Sequence, residues 1–316
     1  MESQNKFGYR NKLTLYLSKN NQLAFNQKKS NNLIDINKCL LVDDKFNNLI
    51  NILNIFFKNN NEYNLFIVKG MAIRKINNLF ILNLILNKKI ILTKLEQFLK
   101  LNKINYSLYY CVNNKNSLPA YPCFFVGGQK IVEVEEFGIK YNIEPMSFLQ
   151  VNNDIKTKIY QKIIDKVKCF DNVLDAFSGA GLLSAMLAKS CKKIYAIEID
   201  KSACDACKNL CKTNNIKNLE CICGDCTKEI PTLLEQTKVD CIVLDPARKG
   251  VEKNALLEIK QAAPKQIIYL SCNPATLTRD LAILCEAGEY KITYAQAYDM
   301  FPQTSEVETL VFLEKN

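Results

Sequence analysis

From residue 172 onward, short apolar runs alternate with longer amphipathic stretches: "NVLDAF", "KIYAIEI", "LECICG", "VDCIVLD" and "QIIYLSC", then "KITYAQAYD" and "ETLVFLEK". Strand-sized apolar runs separated by helix-length segments are the mark of a parallel, doubly wound sheet. Only "MFPQTSEV" separates the last two runs. That is too short for a helical crossover and predicts an antiparallel pair at one edge. Before residue 140 the periodicity is weaker. Strands are expected at "KLTLYLS", "YNLFIVKG", "SLYYCV" and "QKIVEVEEFGIKYN", and helices at "KFNNLINILNIFFKN" and "LTKLEQFLKL". That mixture reads as an α+β domain over residues 1–140, followed by an α/β domain over residues 141–316. The boundary is placed near "NIEPMSFLQVN", where Pro145 breaks the pattern. The greasiest region, "LFILNLILNKKIILTKLEQFL", is interrupted by Asn83, Asn87, Lys88 and Lys89. It reads as amphipathic packing, since a spanning helix needs about 20 mostly apolar residues. No internal repeat is visible.

Charge changes the picture for the first domain. Residues 1–150 hold 20 Lys and Arg against 10 Asp and Glu, whereas the remainder carries 22 of each, so the first half holds all of the net charge of +10. A basic domain joined to a neutral one points to a polyanion, with Tyr9, Arg10 and Lys12 as candidate contacts. The fourteen cysteines occur in a long chain whose first residues, "MESQNKFGYR", have no secretory apolar region. Reduced thiols and a cytoplasmic location are therefore expected. Histidine is absent. That excludes a Ser-His-Asp triad and an HExxH zinc site, and leaves carboxylates, Cys, Lys or Tyr for acid-base chemistry. Asn and Lys abundance fits an AT-rich coding sequence, and the Asn runs carry no functional weight.

Chemistry concentrates at the expected strand ends. "DAFSGAGLLS" follows the first strand of the α/β domain and places Gly179 and Gly181 where missing side chains allow a nucleoside to approach the backbone. Glu198 ends the next strand, suited to ribose hydroxyls, and Asp225 in "CGDC" follows the third, suited to an adenine amino group. The loop lacks the lysine of a P-loop and the later glycine of a dinucleotide fingerprint, so adenosine is favoured over phosphate. Asp245 in "VLDPARKG" ends the fourth strand. Arg248 stands where amino-group methylating enzymes carry an aromatic residue, which suits carbon chemistry or a phosphate contact. The fifth strand delivers Cys272, a potential nucleophile, and the seventh begins at Glu308, a potential base. A thiol and a base beside a methyl donor suit carbon 5 of a pyrimidine, which becomes nucleophilic only after a thiolate adds to carbon 6.

Together "SFLQVN", "DAFSGAG", "LDPARKG", "SCNPATLTRDL" and "DMFPQTSEVE" resemble the RNA (uracil-5-)-methyltransferase family, densely from residue 141 onward. "GYRNKLTLYL" resembles the entry to that family's central domain. The resemblance implies a class I methyltransferase fold, with a Rossmann-like, seven-stranded, mostly parallel sheet. It also implies an S-adenosyl-L-methionine cofactor and a structured RNA substrate, either 23S rRNA or tRNA. Neither DNA, nor a membrane, nor an obligate protein partner is expected. By resemblance Cys272 is the nucleophile and Glu308 the base, while Gln150, Phe177, Gly179, Gly181, Leu182, Glu198, Asp225 and Asp245 bind the cofactor. Glu306 replaces the family's usual histidine, and two carboxylates so close imply that one pKa is raised. The family's amino-terminal oligonucleotide-binding barrel and four-cysteine iron–sulfur motif are not recognised. A cytosine-5 methyltransferase and a catalytically decayed RNA-binding or folding factor are the alternatives. The first is disfavoured by the "SCNP" context; the second is raised by the lost histidine and missing barrel.

Cys204, Cys207 and Cys211 fall on one helical stripe, followed by Cys221, Cys223 and Cys226. Core packing explains these thiols, and no metal is expected.

Overall fold

The computed structural model describes residues 1–27, 30, 32–113, 122–168 and 170–316, which form two compact units. One comprises residues 5–132 and 143–151; the other comprises residues 1–4, 133–142 and 152–316.

Among the described residues the first unit is a seven-stranded mixed sheet with two α-helices. In chain order its elements are β1 (Lys12–Leu17), β2 (Leu23–Asn26), β3 (Leu33–Asp35), α1 (Asp44–Asn59), β4 (Val68–Ile76), β5 (Leu79–Leu86), α2 (Thr93–Leu101), β6 (Tyr106–Val112) and β7 (Phe124–Gly128). The sheet runs β3-β2-β1-β4-β5-β6-β7. Among the described residues only β5 and β6 pair in parallel, with α2 as their crossover. Asp43 caps α1 by accepting from Phe46 N at 2.9 Å, and Phe46, Leu49, Ile50, Leu53, Phe56 and Phe57 bury the helix face. Two asparagines lie within that face. Asn54 accepts from Leu23 N (2.8 Å) and donates to Ile36 O (2.9 Å), and Asn47 accepts from Cys39 N (2.8 Å). Buried amides are thereby satisfied by the backbone of neighbouring loops.

The expected strand at "YNLFIVKG" starts late: residues 61–63 form a 3-10 turn and β4 begins at Val68. The interrupted greasy stretch resolves into β5, every residue of which is buried, including Asn83, followed by a loop and α2. A central strand covered on both faces reads as a continuous apolar run.

The second unit contains β8 (Glu133–Glu136), β9 (Ile139–Asn142), α3 (Asn153–Val167), β10 (Asn172–Ala176), α4 (Leu182–Leu187), β11 (Lys193–Glu198), α5 (Lys201–Thr213), β12 (Leu219–Cys223), α6 (Cys226–Gln236), β13 (Cys241–Leu244), α7 (Lys253–Ala262), β14 (Gln266–Ser271), α8 (Pro274–Cys285), β15 (Tyr290–Tyr298) and β16 (Glu308–Lys315). The single strand expected at "QKIVEVEEFGIKYN" is instead the β8–β9 hairpin. Phe137 and Gly138, at φ +53° and +69°, make its two-residue turn. Two successive positive φ values match the right-handed twist of a tight hairpin. Buried Lys156 of α3 pairs with Glu136 of β8 at 2.7 Å, and Asn214 exchanges hydrogen bonds with the Lys140 backbone of β9. These contacts fasten the hairpin to the unit.

The sheet order is β12-β11-β10-β13-β14-β16-β15, with all strands running one way except β16, which is antiparallel to both β14 and β15. All seven expected strands form, and the closing pair is antiparallel as the short connection requires. The fold is that of a class I methyltransferase. Its order reverses on either side of β10, the switch point where open α/β sheets place ligands. Every parallel strand therefore delivers its carboxyl end to one edge.

Candidate functional site

Beyond Ala176 the chain turns through Phe177, Gly179 and Gly181, all at positive φ (+65°, +55° and +80°). Phe177 in this conformation is an outlier for a bulky residue. Ser178 N donates to Ile197 O at 3.0 Å and Gly179 N to Glu198 Oε2 at 2.9 Å, so the end of β11 holds the turn. Glu198 Oε1 also accepts from Asp200 N at 2.8 Å. The two glycines are required for different reasons. A β-carbon at Gly181 would collide with Cys207 Sγ, whereas one at Gly179 would meet nothing within 4 Å. Gly179 thus faces open space. Leu182 is buried at the start of α4 and offers apolar contact. Asp225 caps α6 by accepting from Thr227 N at 3.0 Å, a bond that holds its carboxyl below the usual range.

The loop after β13 and the helix after β14 are stitched together. Asn273 caps α8, with its side chain accepting from Ala275 N at 3.1 Å and donating to Arg248 O at 2.9 Å. Pro274 occupies the first turn, where its missing N–H costs nothing. Fully buried Asp280 accepts from Val251 N (2.9 Å) and the Tyr269 hydroxyl (2.6 Å), and Arg279 Nη2 donates to Lys249 O at 3.0 Å. The stretch "SCNPATLTRD" therefore serves largely to shape the 245–251 loop. Cys272, at the junction of β14 and α8, is half-buried. Glu308, the first residue of β16, is 3% exposed and sits beside the end of β14, where Ser271 pairs with Thr309.

Four acids at this edge act on one another. Burial pushes Asp175 up to about 7, opposed by its hydrogen bond from Ser184 and reinforced by Glu198. Burial and then Asp175 push Asp245 up to about 7. Burial and then Asp245 push Glu308 up to about 8, with Arg248 opposing. The Cys272 thiol is raised by burial and by Glu308, again with Arg248 opposing. The charge that raises Glu308 is therefore Asp245, not Glu306. Glu306 is partly exposed and accepts from Arg248 Nη2 at 2.7 Å, so the guanidinium offsets its charge. An edge with this many raised carboxyls favours a cationic ligand, since positive charge returns each group to its ionised form.

The second unit by itself thus brings Phe177, Gly179, Gly181, Leu182, Glu198, Asp225, Asp245, Arg248, Cys272 and Glu308 to the carboxyl edge of one sheet. Asp175 escaped sequence reasoning: it lies inside a strand, and its signal was a carboxylate within the apolar run "NVLDAF". Gln150 belongs to the first unit, where its carbonyl accepts from Asn11 Nδ2 at 3.1 Å. That unit holds a cavity of about 440 Å³ lined by Arg10, Lys12, Thr14, Phe25, Arg74 and Phe148 among others, with no acidic residue among the described residues of its wall. Burial, then Arg74 and Arg10, lower Lys12 to about 8. Tyr9 is half-buried and outside this wall. Among the described residues no helix is long and apolar enough to cross a membrane.

The model of the tRNA (uracil-5-)-methyltransferase family matches residues 2–316. A protein of Clostridium acetobutylicum named an uncharacterized RNA methyltransferase is 33% identical, over 99% of this chain and 72% of its own. One from Clostridium tetani with the same name is 32% identical, over 98% and 71%. Among solved structures, the Pyrococcus abyssi tRNA (uracil-54, C5)-methyltransferase in complex with S-adenosyl-L-homocysteine superposes with a TM-score of 0.81 at 23% identity, covering 99% of this chain and 78% of that one.

Proposed function

Because the chain belongs to the tRNA (uracil-5-)-methyltransferase family and is thereby an RNA methyltransferase, we propose that it methylates carbon 5 of a uridine in tRNA, using S-adenosyl-L-methionine and a covalent Cys272 adduct. One observation carries the reading: a half-buried thiol, Cys272, and a buried carboxyl, Glu308, stand at the same sheet edge as the Gly179–Gly181 turn. Transfer RNA is favoured over 23S rRNA because the family description and the Pyrococcus neighbour both name it.

The edge fits the cofactor. Gly179 faces open space, Glu198 and Asp225 offer acceptors at successive strand ends, and Asp175, Asp245 and Glu308, raised toward neutrality, would ionise beside a bound cation. Phe177, Gly181 and Leu182 would complete its cradle. When bound, S-adenosylmethionine supplies an electrophilic sulfonium methyl group for carbon 5. The Cys272 thiolate bonds to carbon 6, and the displaced π electrons make carbon 5 an enolate carbon able to take up that methyl. Glu308 then accepts the carbon 5 proton. The released pair re-forms the ring double bond as the carbon–sulfur bond breaks, returning Cys272 as thiolate. Arg248 balances charge on both residues, and its exposure leaves it able to meet phosphate.

Incubating the protein with unmodified tRNA and methyl-labelled S-adenosylmethionine should yield labelled 5-methyluridine on nucleoside mass spectrometry. Label in 5-methylcytidine, or in rRNA alone, would reject the substrate assignment.

The cationic wall of the first unit is proposed to hold RNA phosphates, and the target base must leave its stack to be reached. Arg10→Ala and Lys12→Ala should each weaken RNA binding and lower the slope of log affinity against log salt by about one. Unchanged slopes in filter-binding titrations would remove both residues from the contact.

A further inference from the structure

We propose that Cys207, Cys211 and Cys221 form a three-thiolate site for a thiophilic d10 metal ion of the zinc group, built against the back of the Gly179–Gly181 turn. By spacing alone these thiols read as packing; the fold gives them a common focus. α5 carries Cys207 and Cys211 one turn apart on one face, and β12 carries Cys221 beside it. The three sulfur atoms all lie within 4.8 Å of one another, and Cys207 Sγ is 2.7 Å from Cys221 Sγ. Sulfurs sharing one zinc at the usual bond length of about 2.3 Å stand roughly 3.8 Å apart. The trio is therefore at ion-binding separation once the close pair opens by about 1 Å.

Access and chemistry agree with this. Cys207 is 2% exposed while Cys211 and Cys221 are half-buried, so one ligand is anchored in the core and two face an entry path. Thiolates select zinc and copper(I) over the harder magnesium or calcium. Binding of a divalent ion by three thiolates releases whatever thiol protons remain and leaves the complex with one negative charge. Among the described residues the group contains no fourth Cys, His, Asp or Glu, so water takes the remaining position. The sulfur of Cys207 fills the space that a β-carbon on Gly181 would need. An ion there would clamp α5, β12 and the turn into one rigid piece.

The test uses the full chain, purified under reducing, chelator-free conditions and titrated with Zn²⁺ and with Cd²⁺. Expected are one ion per chain, proton release on binding, a cadmium–thiolate charge-transfer band in the ultraviolet, and a zinc-dependent rise in melting temperature. Cys211→Ser and Cys221→Ser should each weaken binding at least tenfold, whereas Cys223→Ser, outside the trio, should leave it unchanged. Circular dichroism checks each variant, and Cys211→Ser stands in if Cys221→Ser does not fold. The proposal is overturned if the wild type takes up no ion, if both variants bind like the wild type, or if Cys207 and Cys221 are joined as a disulfide that survives the reductant.

Discussion

Cys272→Ser is expected to lose methyl transfer by about 10⁴-fold or more in kcat while the protein stays folded and still binds S-adenosylmethionine. The size follows from the chemistry. Carbon 5 of uracil does not attack a methyl group without prior addition at carbon 6, and a serine hydroxyl is a far weaker nucleophile than a thiolate. The fold should tolerate the change. Cys272 is half-buried, and the local geometry is set by its neighbours: Asn273 caps α8, and the Ser271 hydroxyl accepts from Asn273 N at 3.1 Å. Two measurements separate chemistry from structure. Wild type should form a denaturant-stable adduct with 5-fluorouridine-containing tRNA in the presence of the methyl donor, and the serine variant should form none. Cofactor affinity, by equilibrium titration, should be the same in both. A serine variant retaining a tenth of wild-type turnover would end the covalent mechanism.

How much of this was legible in the chain differs between the two units. In the second, parallel strands buried on both faces are short apolar runs, and the helices between them are long enough to punctuate them. All seven strands were therefore readable, and with them the strand-end positions of Gly179, Glu198, Asp245 and Cys272. In the first unit the same rule misled. β5 is buried from end to end, but Asn83 and the following lysines disguise it as part of a longer amphipathic stretch. In the second unit the β8–β9 hairpin was hidden because Phe137 takes a positive φ that a phenylalanine does not advertise. The site was legible as positions and not as electrostatics. Glu306 and Glu308 are two residues apart, yet Glu308 is buried as the first residue of β16 while Glu306, in the loop before it, pairs with Arg248. The charge that acts on Glu308 arrives from Asp245, on another strand. The thiol trio shows the same limit, since a helical stripe and a strand each look like packing until their meeting point is known.

Glu308→Gln should remove the step after methylation, and its pH behaviour distinguishes a base from a structural carboxyl. A general base contributes roughly 10²–10⁴-fold, so turnover should fall by about that factor. The methylated RNA should meanwhile accumulate as a protein-linked adduct, because elimination waits on loss of the carbon 5 proton. In the ligand-free wild type Glu308 is raised to about 8 by burial and by Asp245, so it is largely protonated at neutral pH. Its contribution to kcat/KM should rise with pH through about 8 and vanish in the glutamine variant. Stability runs in the opposite direction. A carboxyl raised from 4.5 to about 8 binds more protons folded than unfolded across that range, so wild-type stability declines as pH climbs through it. The decline is at most roughly 5 kcal/mol. Glutamine is neutral throughout, so the variant should match the wild type below the unfolded pKa of 4.5 and resist unfolding better above the folded pKa of about 8. A third readout concerns the neighbour. Glu308 raises the Cys272 thiol, so removing its charge should lower that pKa and speed iodoacetamide labelling of Cys272 at alkaline pH. A variant that turns over normally, accumulates no adduct and labels at the wild-type rate would assign proton removal to another group.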